Sequence, residues 1–392
     1  MKFFIRISAI IMLATAFAPV FAFAAAQKAA PFSYAAWLPY WKKTAGANEI
    51  SLYLEKFKEI SPFSYEVRAD GTLIDDLKIN DGFWPAWLSA ASELGVKIIP
   101  TVAILDGTQI QNLLSNTKRR QAHEDIIANL VKTQKFDGID IDYEDKMAKT
   151  GPYFSLLLKG LALRLHPLKK ILSCTVESRT PLSSRFVEVP KDLAYANDYA
   201  VINTYCDEVR IMAYDQQNID IKLNASKGDG NFYMPIADPV WVEKVIEETL
   251  KTISRKKIIL GVPTYGYEYE VSWANGITTY KRLRSRTFEQ AMDLAEAVGA
   301  TPQRDSAGEL SFTYATSTSV NVSAGLTYYT SSTMPAALLA LANGVSPVTR
   351  FVSFSDAKSA QDKITLAKKY GLEGAVFFKF DGETDPALLD GI

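Results

Sequence analysis

The chain has 392 residues, with 43 Lys+Arg against 44 Asp+Glu and a formal net charge of −1, a balance that excludes a surface basic enough for nucleic acid or anionic lipid. Its 48% apolar and 22% charged content is that of an ordinary globular protein, long enough to bury one large core with an inserted subdomain. Two histidines disfavour a His-rich zinc site and a Ser-His-Asp triad, and two cysteines give no disulfide framework to read.

Residues 1–24 carry Lys2 and Arg6, an apolar stretch from Ile7 to about Phe23, and Ala22-Phe23-Ala24. This is the order of a bacterial-type secretory signal, cut after Ala24 or Ala26. The expectation is an exported protein, secreted or held in the cell envelope, with no membrane attachment after cleavage. Loss of Lys2 and Arg6 leaves 41 basic against 44 acidic residues, a net charge of −3. Residues 25–33 read as a tether.

From residue 34 the chain alternates strand and helix. Predicted strands fall at 34–41, 59–67, 96–103, 136–144, 171–177, 208–215, 257–265 and 374–380. Predicted helices fall at 84–94, 118–134, 153–165, 240–254 and 357–370, with an amphipathic stretch at 52–57 and a loop at 216–230. Eight strands, most apolar on both faces and separated by helices, predict an α/β protein of the (β/α)8 TIM-barrel class spanning 34–392. No Gly-rich phosphate loop follows the first strand, which argues against an open dinucleotide-binding sheet. The rhythm breaks once. Residues 267–349 hold a helix at 287–298 and strand-like pieces such as 310–314, which reads as a small α+β insertion between strands seven and eight.

The fourth strand is the chemical centre. Asp137-Gly-Ile-Asp140-Ile-Asp142-Tyr-Glu144 places Asp140, Asp142 and Glu144 on one face and Ile139, Ile141 and Tyr143 on the other. Several buried carboxylates cost several kcal/mol each or force protonation, roughly speaking, so the pattern points to coupled acids with separated pKa values. A calcium loop is disfavoured, because Gly138 precedes an alternating strand instead of sitting at the sixth position of a turn. No metal or cofactor is called for. Catalytic groups in such barrels lie at the carboxyl ends of strands, which brings Glu144, Tyr214, Asp215 and Tyr265 to one mouth, with Trp41 after strand one and Phe378 in strand eight as aromatic walls. His123 and His166 read as structural. Cys174 and Cys206 read as two separate buried thiols in preference to a bridge.

The acidic motif resembles the Asp-Gly-x-Asp-x-Asp-x-Glu signature of glycoside hydrolase family 18, the chitinase-type barrels. Met212-Ala-Tyr214-Asp215 is similar to that family's strand-six Met-x-Tyr-Asp. Ser61-Pro-Phe-Ser-Tyr65 through Gly71-Thr-Leu73, and Phe354-Ser-Asp-Ala-Lys-Ser359, look most like bacterial cell-wall and spore-cortex N-acetylglucosaminidases. The resemblance implies a retaining glycosidase acting as a monomer on β-1,4-linked N-acetylglucosamine polymers, chitin or peptidoglycan, in which the substrate's acetamido oxygen attacks the anomeric carbon. It implies Glu144 as acid and base, Asp142 as the partner of the acetamido N–H, Asp140 as a tuning group sharing a proton with Asp142, and Tyr214 as the group positioning the acetamido. Asp215, Trp41, Tyr265 and Phe378 become substrate-binding candidates, while Asp137 has the opposite strand parity and a structural role. One departure stands out: Phe378 occupies the place of the family's usual strand-eight Trp. The alternative is a chitinase-like lectin, a non-catalytic glycan-binding protein on the same barrel.

Overall fold

The computed structural model describes residues 31–228, 231–274, 277–317, 328–329 and 347–392. The expected signal segment and most of the expected tether lie outside the described residues. Eight parallel strands pair in chain order: β1 (Ser33–Pro39), β2 (Glu59–Val67), β3 (Thr101–Ile104), β4 (Gly138–Tyr143), β5 (Ile171–Glu177), β6 (Glu208–Met212), β7 (Ile258–Pro263) and β8 (Gly374–Phe378). β8 pairs with β1 and β1 with β2, so the sheet closes into the expected barrel. Closure leaves no unpaired edge.

Side-chain parity divides the core in two. Ile139, Ile141 and Tyr143 face outward and pack with Phe154, Leu157 and Leu161 of the helix Gly151–Leu165 in the layer between barrel and helices. Inside lies a small cluster of Ala35, Trp37, Phe63, Ala103, Ile259 and Val376. Polar side chains, among them Glu59, Ser61, Thr101, Asp140, Ser173, Thr175 and Arg210, are buried there as well. Tyr143 is anchored from behind by His123, whose Nε2 meets the phenol while Nδ1 lies 2.6 Å from the Gly71 carbonyl. Burial pushes the His123 ring down to about 4, so it is neutral and structural, as expected.

The predicted strand at 96–103 is broken. Lys97–Ile98 and Thr101–Ile104 pair separately with β2, because Pro100 offers no N–H to a ladder. The predicted loop at 216–230 contains the helix Ile221–Lys227, capped by Asp220 through the Leu223 N–H at 3.0 Å. After β7, an antiparallel sheet is inserted: Ile277–Thr287, Tyr265–Ala274, Pro347–Phe354, Leu310–Ser317 and Gln303–Arg304 lie in that spatial order. The helix Phe288–Ala297 packs on it, starting with a capping box between Thr287 and Gln290.

Cys174 and Cys206 form a disulfide, contrary to the expectation of separate thiols. Cys174 lies opposite Val209 in the β5–β6 ladder, and Cys206 precedes β6 by two residues, which leaves their Cα atoms 6.1 Å apart. Neighbouring parallel strands thus bring together residues 32 positions apart. Replacing both cysteines by Ser is expected to lower stability by about 4 kcal/mol on the chain-entropy account. A fall in Tm of several degrees in calorimetry, reproduced by reductant on the wild type, checks this.

Candidate active site

The carboxyl ends of the strands surround a cleft of about 320 Å³, within the size range of small-molecule sites. Asp142, Glu144, Tyr214, Asp215, Trp41 and Phe378 all line it. The three acids of β4 sit at three depths. Asp140 is fully buried, Asp142 is nearly so, and Glu144, one residue beyond the strand end, is half-buried at the mouth.

Asp140 is satisfied on every side. It accepts hydrogen bonds from Ser173 Oγ at 2.7 Å, Thr175 Oγ1 at 3.0 Å and Thr101 Oγ1 at 3.0 Å, and the Arg210 guanidinium lies 3.4 Å away. Asp142 is the reverse: its Oδ1 is buried with no hydrogen-bond partner. Burial, then the charges of Glu144 and Asp140, hold its carboxyl well above the usual carboxylate range. Glu144 is pushed up to about 7 by burial first and Glu177 second, with Lys146 opposing. A carboxyl that protonates near neutrality at a cleft mouth can donate and retrieve a proton.

The turn after β4 builds the cleft wall. Asp145 adopts φ of 57°, the left-handed region that few non-glycine residues enter, and this reverses the chain. Lys146 then folds under the wall, donating to the Tyr143 carbonyl and lying 3.4 Å from the Glu177 carboxylate. Glu177 also accepts from Asn197 Nδ2 at 2.6 Å.

Tyr214 stacks on Phe378 with centroids 5.3 Å apart and planes 14° apart, and Trp37 meets Phe378 edge-on at 5.7 Å. An added Cβ at Gly261 would sit 2.9 Å from Tyr214 Cε1 and 2.6 Å from the Ile211 carbonyl, so a glycine is needed there for Tyr214 to lie as it does. Phe378 therefore belongs to an aromatic floor made by three rings. Asp215, also in the left-handed region at φ of 56°, accepts from Tyr265 at 2.6 Å and Tyr267 at 2.8 Å. Tyr265 is buried behind Asp215 and does not line the cleft, so its contact is with Asp215. Trp41 is 47% exposed on the turn after β1, edge-on to Tyr40 and Phe63. Asp137 accepts from the Ile98 N–H at 2.9 Å, a structural tie between strands.

Sequence reading missed Trp37, Phe63, Glu66, Glu177 and Arg210. Trp37 and Phe63 look like any apolar strand residue. The acids of β2 and β5 carry a faint signal, a lone charge at a strand's carboxyl end.

A closed parallel barrel with stepped acids at its mouth, walled by aromatic rings, has the architecture of a barrel-type carbohydrate-processing protein. Residues 85–383 match the model for glycosyl hydrolases family 18, and the chain belongs to that family. It is 25% identical over 243 residues to YdhD of Bacillus subtilis, a glycosylase provisionally called sporulation-specific, covering 62% of this chain and 54% of that protein. It is 23% identical over 313 residues to chitinase A1 of Niallia circulans, covering 74% of this chain and 41% of that protein. The chain thus spans about half the length of these curated relatives. Among solved structures, the spore cortex-lytic enzyme SleL of Bacillus megaterium shares the fold, with a TM-score of 0.65 at 20% identity over 91% of this chain and 72% of SleL.

Proposed function

We propose that this protein is an exported glycosidase that hydrolyses β-1,4-linked N-acetylglucosamine polymers with retention, through an oxazolinium intermediate formed by the substrate's own acetamido group. The observation that carries the reading is the pairing of Glu144, titrating near 7 at the mouth, with the buried and unpartnered Asp142 Oδ1 one step deeper. Glu144 protonates the leaving glycosidic oxygen as the acetamido oxygen closes on the anomeric carbon. Asp142 takes the acetamido N–H and faces the positive charge that develops on the ring. Water activated by Glu144, now the base, opens the intermediate from the face the leaving group vacated. Tyr214 orients the acetamido group, Asp215 contacts the sugar, and Phe378 with Trp37 forms the apolar floor. Trp41 extends the aromatic surface outward.

Export is supported by the N-terminal signal pattern and by the Cys174–Cys206 bridge, a feature of oxidising compartments. Incubation with chitin oligomers and with purified peptidoglycan, followed by mass spectrometry and by NMR of the fresh anomers, tests the proposal. Release of β-anomers ending in N-acetylglucosamine is the expected result. Binding of both polymers with no release from either would leave the lectin reading in its place.

The acid must hold its proton in the free enzyme. The kcat/KM profile is therefore expected to fall as pH rises through about 7, about tenfold per unit beyond it. A profile flat to pH 9 would remove Glu144 from the role of acid.

A further inference from the structure

Arg210 lies inside the barrel, fully buried, at a position where a parallel-barrel interior ordinarily holds an aliphatic or small polar side chain. Its Nη2 donates to Glu59 Oε1 at 2.8 Å and its Nη1 donates to Ser61 Oγ at 2.7 Å. Nη1 also lies 3.4 Å from Asp140 Oδ2, and the guanidinium carbon stands 5.3 Å from the centre of the Trp37 ring. A buried cation is costly without partners, and this one is shared between a carboxylate at the closed end of the barrel and the deepest acid of the site.

One hydroxyl beside Asp140 is oriented by a second partner. Trp37 Nε1 donates to Thr101 Oγ1 at 3.1 Å, and Thr101 in turn donates to Asp140. With Ser173 and Thr175, three hydroxyls and a guanidinium converge on two oxygens. The guanidinium can only donate, and the Thr101 hydroxyl, already accepting from Trp37, is turned toward Asp140, so these surroundings favour the anion at Asp140. Asp142, two residues along the same strand face, has a buried oxygen with no donor at all.

We infer that Arg210 is a positioning residue that decides which of the paired acids carries the proton: it fixes Asp140 as the anion and leaves the proton on Asp142. The sharing of one proton between the two, implied by the family resemblance, is thereby replaced by an ordered arrangement. Asp142 enters the reaction protonated, and Asp140 is a constant negative charge beneath it. The charged groups facing the guanidinium and its partners are Asp140 and Asp142 on β4, Glu59 on β2, and Glu208 on β6. Lys58, 2.8 Å from Glu373 and 3.3 Å from Glu208, closes the network at the barrel base.

The inference deepens the proposed hydrolase reading and rests on it for its consequence in catalysis, so one arm of the test does not use turnover. With aspartate labelled at its carboxyl carbon, the wild-type protein is titrated by NMR between pH 4 and 9, and the Asp142 signal is identified by its loss in Asp142→Asn. One deeply shifted carboxyl titrating alone, with Asp140 ionised throughout, is expected. Two carboxyls moving together through the same transition would overturn the inference, whether or not the protein cleaves any glycan.

The second arm uses Glu59→Gln/Arg210→Met, which removes the cation together with the carboxylate it hydrogen-bonds and leaves Asp140 as the partner without its cation, alongside Arg210→Lys. The double variant is expected to keep KM within about threefold and lose at least about tenfold in kcat, while the acid limb of its pH profile moves up by about one unit or more as Asp140 becomes free to protonate. Arg210→Lys is expected to restore the limb. A folded double variant with the wild-type profile would make Arg210 a packing residue only. A wild type that cleaves nothing would sink the hydrolase reading and leave the NMR result to stand alone.

Discussion

Glu144→Gln is expected to lower kcat on N-acetylglucosamine oligomers by roughly three orders of magnitude, while the Kd for the same oligomers stays within about threefold. The amide keeps the shape and the hydrogen-bonding reach of the carboxyl and cannot transfer a proton. Single-turnover kinetics and calorimetric binding on the same preparation separate the two effects. The substitution also has a stability signature with a defined sign. The folded carboxyl titrates near 7, against about 4.3 in an unfolded chain. Between those values the folded state binds more protons, so the wild type loses stability as pH rises across the window and carries the full cost above it. Gln has no proton to lose. Glu144→Gln is therefore expected to be more stable than wild type at pH 8, by on the order of 2 kcal/mol, and equal to it below about pH 4. A variant that is inactive and also destabilised at pH 8 would point to a disrupted mouth and not to a missing proton.

Asp142→Asn and Asp140→Asn are expected to part company. Asp142 Oδ1 has no hydrogen-bond partner to lose, and the carboxyl already favours the neutral form, so the Asn variant is expected to fold as well as wild type. Its kcat falls by about 10²–10³ because the amide, unlike the carboxyl, cannot release a proton as positive charge develops on the sugar. Asp140→Asn removes the anion facing Arg210 and puts an amide among three donating hydroxyls. Leaving that guanidinium with one carboxylate costs about 3 kcal/mol or more, visible as a lower midpoint in urea. Equal destabilisation by the two substitutions would contradict the division of roles between the acids.

The aromatic floor explains how Phe378 can stand where Trp is usual in the family. Phe alone offers less area and no N–H. Here it is flanked by Trp37 and stacked on Tyr214, so the apolar surface beneath the cleft is shared among three rings.

Much of this could be read from the chain. The acids of β4 announce themselves because alternation with Ile139, Ile141 and Tyr143 is a local signal, and the boundaries of β2 and β5 follow from apolar runs ending in Val67 and Glu177. Tyr214-Asp215 was legible as a strand end. The helices Gly107–Leu114 and Tyr199–Tyr205 were not: each is about two turns or less, too short for a periodic pattern to outweigh its polar residues.

By itself, the sequence determined the barrel, the order of its strands and the row of acids on the fourth, since these depend on periods of two and 3.6 that lie within a few residues of one another. What only the tertiary structure decided is how the acids differ. Asp140, Asp142 and Glu144 are equivalent in the sequence, two residues apart on one face. Closure of the barrel brings Thr101, Ser173, Thr175 and Arg210 to Asp140, leaves Asp142 Oδ1 bare, and sets Glu177 and Lys146 against Glu144. Charge in a low-dielectric interior is governed by the nearest few ångströms of surroundings, and those surroundings come from strands that are distant along the chain.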